Sequence, residues 1–402
     1  MIIGLLRETK TPPDRRIPFT PRQASGIMKL FPGVKVVVQK SNIRAFTDEE
    51  FRLHNIELAD DMSGCDILMG IKEVSIPALI PGKTYLFFSH TGKKQAHNRD
   101  MFREIVRRNI TLIDYEYLAD RQGNRLVAFG RWAGIVGAYK GLRAWGLRYH
   151  LYHLKPAGEC FDLDDLLAQL SNIRLPPVKI LITGGGRVAH GAMEILAALS
   201  VTRVTTNDYL QRDYSFPVYC QLNPSDYVRR MDGEPFALDH FFAHPEQYAS
   251  TFQRFASCTD LFMPCHYWDP RAPLMLTADD YRDPSFRIRV IADISCDIGG
   301  PVASTLRPST GADPYYGYHP LTGKEDLPFS DGVVTVMAVD NLPANLPRDA
   351  SADFGENLIR KVLPSLLGQD TDGIIERATM VRNGQLTSGF EYLRDYLEGN
   401  DQ

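Results

Sequence analysis

The segment Val178–Asp208, VKILITGGGRVAHGAMEILAALSVTRVTTND, is the stretch that most narrows what this chain can fold into. An apolar run, Val178–Ile182, meets Gly184, Gly185 and Gly186. A helical pattern follows, with Ala192, Ile195, Leu196 and Leu199 on one face, and a β-branched run, Val201–Thr206, leads to Asp208. Strand, glycine turn, helix, strand and carboxylate in that order are the layout of a dinucleotide-binding βαβ unit. Glycines let the backbone approach a pyrophosphate, and Arg187 and Val188 open a helix whose free N–H groups and positive dipole end face that anion. Asp208 lies 22 residues after Gly186, where a carboxylate can accept bonds from ribose hydroxyls. Its charge favours NAD over NADP, because a 2′-phosphate would meet a negative group. The motif reads G-x-G-x-x-A from Gly184 to Ala189, and on its own it also fits a tight strand–helix turn in another α/β protein.

With 402 residues, the chain has room for two or three domains at about 150 residues each. Its 45 basic and 49 acidic residues leave a net charge of −4 without a basic block, which argues against a nucleic-acid partner. No apolar run approaches the ~18 residues of a membrane span, and MIIGLLRETK lacks the basic leader and cleavage site of an export signal. The six cysteines are scattered without a CxxC pair, which fits a reducing cytoplasm. Cys265 and His266 are adjacent, but no further ligand pattern accompanies them, so no metal site is expected.

Strand patterns at Ile2–Leu6, Val34–Val38, Ile67–Ile71, Tyr85–Phe88 and Thr111–Tyr115 alternate with helical ones at Pro21–Leu30, Asp48–Asn55 and Lys93–Arg108. Such alternation predicts an α/β fold with largely parallel sheets. Arg131–His150 reads as one long helix, a natural bridge to a second α/β block. That block carries the glycine motif and further strands at Leu261–Met263, Ile288–Ile294 and Val333–Val339. Arg212–Glu246 reads as an insertion and Gly299–Lys324 as a long loop. The tail, Ala352–Leu367 and Gly373–Glu398, reads as helical and is expected to return to the first domain. The expected division is therefore 1–135 plus about 345–402, interrupted by a dinucleotide-binding domain at 136–344.

In open α/β sheets, ligands bind beyond the carboxyl ends of the strands. Lys72, His90, Asp293, Asp297 and Asn341 all follow predicted strands, and Lys93 lies three residues past His90. Taken singly, each has an ordinary reading: a solvated lysine, a local hydrogen-bonding histidine, an aspartate capping a turn. Their convergence on strand ends in a chain with a cofactor motif predicts a functional site.

The blocks RETKTPPDRRIPFTP, IKE, FFSHTGK, DYEYL…RLVAFGRWAG, TGGGRVAHGA, ADISCDIGG and VDNLPANLPRDAS occur in that order. This order resembles the alanine dehydrogenase, transhydrogenase and saccharopine dehydrogenase superfamily over nearly the whole chain. Arg125–Gly130 and VDNLP followed by PRDAS are most similar to the lysine-forming saccharopine dehydrogenase and lysine–oxoglutarate reductase branch. Two departures stand out. Ala189 and the bulky His190 occupy the glycine loop where relatives favour small residues, and CDIGG is nearer the alanine dehydrogenase form.

The resemblance implies two Rossmann-like domains with the active site in the cleft between them. By position it makes Lys72 and His90 the catalytic pair and Arg16 the holder of a substrate carboxylate. Lys93, Glu116 and Arg125 become further substrate-binding residues. Asp297 is expected at the nicotinamide end of the cleft, and Asn341 on the loop beneath it. The implied reaction is NAD-dependent oxidation of an amino-acid-derived secondary amine, saccharopine first. Alanine dehydrogenase-like deamination, a non-catalytic NAD-binding role and a partner-dependent transhydrogenase subunit are the alternatives. The expected partner is a small amino-acid substrate, without nucleic acid or membrane. The amine and oxo acid, the direction, the oligomeric state and the strictness for NAD stay open.

Overall fold

The computed structural model describes residues 1–400, and the chain divides by its contacts into two compact units, 1–129 with 347–402 and 130–346. Both are α/β units, each built on an eight-stranded, mostly parallel sheet.

In the first unit the parallel strands run, in spatial order, Glu57–Ala59, Lys35–Gln39, Ile2–Leu5, Ile67–Met69, Thr84–Phe87 and Thr111–Asp114. The chain starts in the middle, builds to one edge, then returns and builds to the other. The strand order therefore reverses between Ile2–Leu5 and Ile67–Met69, and a crevice opens at such a switch point. Side chains alternate along each strand. Ile3, Leu5, Val36, Val38, Ile67 and Met69 enter one core with Phe19, Phe51 and Phe354. Val37, Leu68, Tyr85, Phe87 and Leu112 enter another with Phe102 and Tyr396. The helix Pro21–Leu30 starts at Thr20 with a reciprocal Thr20–Gln23 capping box, and Asp48–Leu53 does the same with Thr47 and Glu50. The helix predicted from Lys93 begins at Arg99, after a single 3₁₀ turn, and the short strand Glu57–Ala59 was not predicted.

The tail departs from its helical reading. Ala352–Leu367 lies within two helices, Pro347–Lys361 and Leu363–Leu367, but Gly373–Glu398 does not form one helix. After Ile374–Ala378 it turns into a hairpin, Thr379–Arg382 and Gln385–Leu386, that extends the sheet antiparallel to Thr111–Asp114. The reason is the Asn383–Gly384 pair. Both residues take positive φ, 46° and 77°, which matches the twist of a two-residue hairpin.

In the second unit the parallel strands run Thr202–Arg203, Val218–Leu222, Lys179–Thr183, Leu261–Pro264, Val290–Ala292 and Val334–Met337. Tyr315–Tyr318 and Glu325–Asp326 add an antiparallel edge. Thus the predicted insertion and the predicted long loop each contribute a strand. The predicted strand Val201–Thr206 shrinks to Thr202–Arg203 and moves to the far edge, and Val218–Leu222 takes the place beside the glycine-loop strand. The helix Gly130–Arg148 is buried on nearly every side. One side meets the sheet, where an added Cβ at Gly141 would lie 2.7 Å from Ala292. Another side meets the helix Arg187–Ala198 so closely that a Cβ at Gly134 would lie 1.9 Å from the Val188 carbonyl oxygen. This segment opens the second unit and is a core helix of it. Among the described residues, no helix is long and apolar enough to cross a membrane.

Candidate functional site

Two sets of strand ends carry the candidate residues, one in each unit. In the first unit they gather around the switch point. Glu8, just past Ile2–Leu5, is buried, and its carboxyl accepts hydrogen bonds from the backbone N–H of Ile71 (2.7 Å) and Lys72 (2.9 Å). That pair of bonds holds the turn after Ile67–Met69 against the turn after Ile2–Leu5. Burial, with Asp14 nearby, pushes Glu8 up to about 8. Lys72 itself is half-buried. Desolvation and then the charges of Arg16 and Lys10 lower its pKa, which makes a neutral amine accessible.

His90 follows the neighbouring strand Thr84–Phe87, and its Nδ1 lies 2.7 Å from Glu73 Oε1. Lys10 Nζ is 3.0 Å from Glu73 Oε2. Burial opposes ionisation of Glu73, yet the bond to His90 and the nearby cations outweigh it and hold the carboxyl near 2. An ionised carboxylate only accepts, so Nδ1 of His90 is the donor and Nε2 is the nitrogen left outside that bond. The Phe88 ring stacks on the imidazole at 6.3 Å between centroids. Arg16 is almost fully buried and grips Asp14 through Nε (3.0 Å) and Nη2 (2.6 Å), with its guanidinium 4.2 Å over the Phe129 ring. Lys93 is exposed. Glu116 and Arg125 form an ion pair with each other and line a cavity of about 600 Å³ together with Tyr117, Arg377, Ser388 and Tyr392. The structure therefore brings Lys72, His90 and Arg16 around one set of strand ends and sets Glu116 and Arg125 in a neighbouring hollow.

In the second unit, Gly184 takes φ +94°, a conformation that L side chains rarely adopt. A Cβ there would also lie 2.8 Å from the Cys265 carbonyl oxygen. Gly186 is the N-cap of the helix Arg187–Ala198, and the space where its Cβ would stand is open. Gly185, Gly186 and Arg187 are exposed, Val188 is half-buried, and His190 points to the surface rather than into the loop. An exposed helix N-terminus with open space above a glycine fits a pyrophosphate.

Asp208 is not at a strand end. It sits in the first turn of the helix Thr206–Gln211, bonded to the N-cap Thr205 and ion-paired to Arg212 at 3.0 Å. The polar side chains at the end of the strand beside the glycine loop are instead Gln221 and Asn223. Gln221 Nε2 donates to the Gly184 carbonyl oxygen at 3.0 Å and to Asn223 Oδ1 at 3.1 Å. Asp293 is buried at the end of Val290–Ala292, accepts from Thr305 Oγ1 at 2.6 Å and is pushed by burial up to about 6. Asp297 stands half-buried in the turn that follows, and Asn341 takes a left-handed φ of 46° after Val334–Met337. His266 bonds Thr183 through Nδ1 at 2.8 Å, while its Nε2 and the indole N–H of Trp268 are buried without a hydrogen-bond partner. Both residues line an aromatic cavity of about 340 Å³ with Tyr227, Phe241 and Met275.

Sequence reasoning missed Glu8, Glu73, Asp114, Gln221, Asn223, His266 and Trp268. Only Glu73 carried a usable signal, its place next to Lys72 in IKE; the others depend on which strands become neighbours.

Residues 4–136 match the alanine dehydrogenase/PNT, N-terminal domain. The whole chain aligns with alpha-aminoadipic semialdehyde synthase of Arabidopsis thaliana at 28% identity and with the mitochondrial one of Bos taurus at 29%. It spans less than half the length of these relatives, 42% and 48%. A saccharopine dehydrogenase [NAD(+), L-lysine-forming] of Neurospora crassa is 27% identical, with 91% of this chain and 90% of that one covered. A solved L-alanine dehydrogenase shares the fold, with a TM-score of 0.68 at 17% identity over the full length of both chains.

Proposed function

We propose, from the premise that this chain belongs to the saccharopine dehydrogenase branch of the alanine dehydrogenase/PNT superfamily, that it is an NAD-dependent oxidoreductase of the CH–NH bond in saccharopine. The reaction is saccharopine, NAD and water to lysine, 2-oxoglutarate and NADH. The observation that carries this reading is the delivery of a pKa-lowered Lys72 and a Glu73-anchored His90 by adjacent parallel strands at a switch point.

NAD, when bound, supplies the hydride acceptor. Gly184, Gly185, Gly186, Arg187 and Val188 would hold its pyrophosphate. Asp208, with Gln221 and Asn223, would face the ribose, and the aromatic cavity at His266 and Trp268 suits the adenine. Asp297 and Asn341 would face the nicotinamide. In the first unit, neutral Lys72 takes the proton of the substrate's secondary ammonium, so that the nitrogen lone pair can drive loss of hydride from the adjacent carbon. His90, through Nε2, takes a proton from the water that adds to the resulting imine and returns it to the departing amine. Arg16 serves as a cation for a substrate carboxylate and as a positive field on Lys72. Lys93, Glu116 and Arg125 would hold the remaining polar groups of a tricarboxylate. Six unbridged cysteines support a reducing, cytoplasmic setting.

The test is NADH oxidation with lysine, ornithine or ammonia paired with 2-oxoglutarate, pyruvate or glyoxylate. Turnover with lysine and 2-oxoglutarate is expected. Turnover confined to pyruvate and ammonia would move the assignment to alanine dehydrogenase chemistry, and NAD binding without turnover on any pair would remove the enzyme reading.

A further inference from the structure

His90 takes φ +52°, a left-handed backbone that is uncommon for a residue with a side chain and worth an explanation wherever it occurs at a site. Its two neighbours explain how that conformation is held. Ser89 and Thr91 are both fully buried. The Ser89 backbone N–H and its hydroxyl both donate to Asp114 Oδ2, at 2.9 and 2.5 Å. Ser89 Oγ is 2.7 Å from Thr91 Oγ1 and accepts the Thr91 backbone N–H at 3.3 Å. Both hydroxyls lie against the Met380 sulfur, at 3.7 and 3.8 Å. Ser89 is thus tied directly to one buried carboxylate and Thr91 to it through the Ser89 hydroxyl, while the imidazole pairs with Glu73.

The other oxygen of the same carboxylate faces a second turn. Asp114 Oδ1 accepts the Glu116 backbone N–H at 2.8 Å and so caps the 3₁₀ turn Tyr115–Tyr117 that carries Glu116. Glu116 is the ion-pair partner of Arg125. Asp114 itself is fully buried at the end of the strand Thr111–Asp114, beside the strand that ends before His90.

We infer that Asp114 is a positioning residue that sets the His90 turn with one oxygen and the Glu116–Arg125 pair with the other. This rests on the reading of His90 as the proton-transfer residue. The physical content is that a carboxylate offers acceptors on both oxygens, and both are used. Asparagine has the same shape but turns one oxygen into a donor and leaves the other an uncharged, weaker acceptor, so both turns lose anchoring. A small displacement of a proton-transfer group costs rate rather than binding.

The experiment measures kcat, the KM for 2-oxoglutarate, NADH affinity by fluorescence and thermal melting for wild type, His90→Gln, Asp114→Asn, Ser89→Ala and the two doubles with His90→Gln. Asp114→Asn and Ser89→Ala are expected to lower kcat by roughly 10- to 100-fold with NADH affinity within about two-fold. Ser89→Ala should leave the KM for 2-oxoglutarate in place, whereas Asp114→Asn should raise it, because only the latter also loosens Glu116. Added to His90→Gln, each change should cost less than about two-fold in kcat, since a residue acting through His90 has nothing left to act on. Equal proportional losses with and without His90, or near-normal kcat in folded single variants, would overturn the inference while the functional reading stands. Full turnover in His90→Gln would instead bring down both. Should Asp114→Asn not fold, Ser89→Ala, which removes one hydroxyl and leaves the Ser89 backbone N–H on Asp114, decides the question.

Discussion

The His90 Nδ1 atom lies 2.7 Å from Glu73 Oε1, and that contact leaves Nε2 as the imidazole nitrogen outside the pair. Glu73→Gln replaces an obligate acceptor with a group that can also donate, so the ring can bind in the other tautomer. The expected result is a fall in kcat of about 10- to 100-fold with little change in NADH affinity, measured by steady-state kinetics and fluorescence titration. An unchanged kcat would mean that the tautomer does not matter.

Lys72 should set an acid limb in the pH dependence of kcat/KM. A base works when neutral, so activity rises with pH through its pKa, and burial with the charges of Arg16 and Lys10 puts that limb below the ordinary lysine range. Lys10→Met removes one of those charges and should move the limb to higher pH. Lys72→Met should lower turnover by roughly 10²–10⁴-fold. Lys72→Arg should be as inactive, because a guanidinium stays charged. A limb that does not move in Lys10→Met would show that another group sets it.

Glu8 ties protonation to stability. Its folded pKa, about 8 through burial, lies above the value of an unfolded glutamate, so between those two pH values the native state binds the extra proton. Stability from this group is therefore present at low pH and declines as pH rises toward 8. Denaturant titrations at pH 5 and pH 8 should show the first unit losing stability on going up, and Glu8→Gln should flatten that difference. A wild type as stable at pH 8 as at pH 5 would contradict the assignment.

Gly134→Ala tests the helix pair beneath the glycine loop. The added methyl would stand 1.9 Å from the Val188 carbonyl oxygen, so the helices must separate. Overpacking of this kind costs about 1–3 kcal/mol. A lower melting temperature together with weaker NAD binding is expected, because Val188 lies in the first turn of the helix proposed to face the pyrophosphate. Normal NAD affinity would separate that helix from cofactor binding.

The proposed cofactor contacts can be divided between two residues. Gln221 is bonded to Gly184, whereas Asp208 is bonded to Thr205 and Arg212. Gln221→Ala should weaken NAD binding more than Asp208→Ala does, as read by calorimetry. Asp208→Ala should relax the preference for NAD over NADP. The reverse order of effects on affinity would return the dominant ribose contact to Asp208.

Much of the architecture was legible because it is written in local periodicity. The parallel strands of the first unit apart from Glu57–Ala59, the capped helix Pro21–Leu30 and the long helix near Gly130–Arg148 all follow from alternation or helical spacing. The places of Lys72 and His90 just past strands were legible because a strand end is itself a local feature. Asp208 shows where that reasoning stops. Spacing after a glycine motif identifies a carboxylate, but the insertion of Val218–Leu222 beside Lys179–Thr183 is a pairing between distant segments and leaves no periodic trace. Asp114 is hidden for the same reason: its partners come from the neighbouring strand end. The hairpin at Asn383–Gly384 is a different kind of miss, since the dipeptide is a hairpin signal in the sequence itself that the helical reading of Gly373–Glu398 did not use.

The hairpin also bears on how the first unit is assembled during synthesis. Thr111–Asp114 pairs on one side with Thr84–Phe87 and on the other with Thr379–Arg382. A growing chain that has released residues 1–129 therefore holds an open sheet edge while the whole of the second unit is being made. That edge exposes unpaired backbone groups, the usual template for misassociation. Its closure waits for Thr379–Arg382 to emerge, so a chain truncated before Thr379 should aggregate even though its second unit is complete.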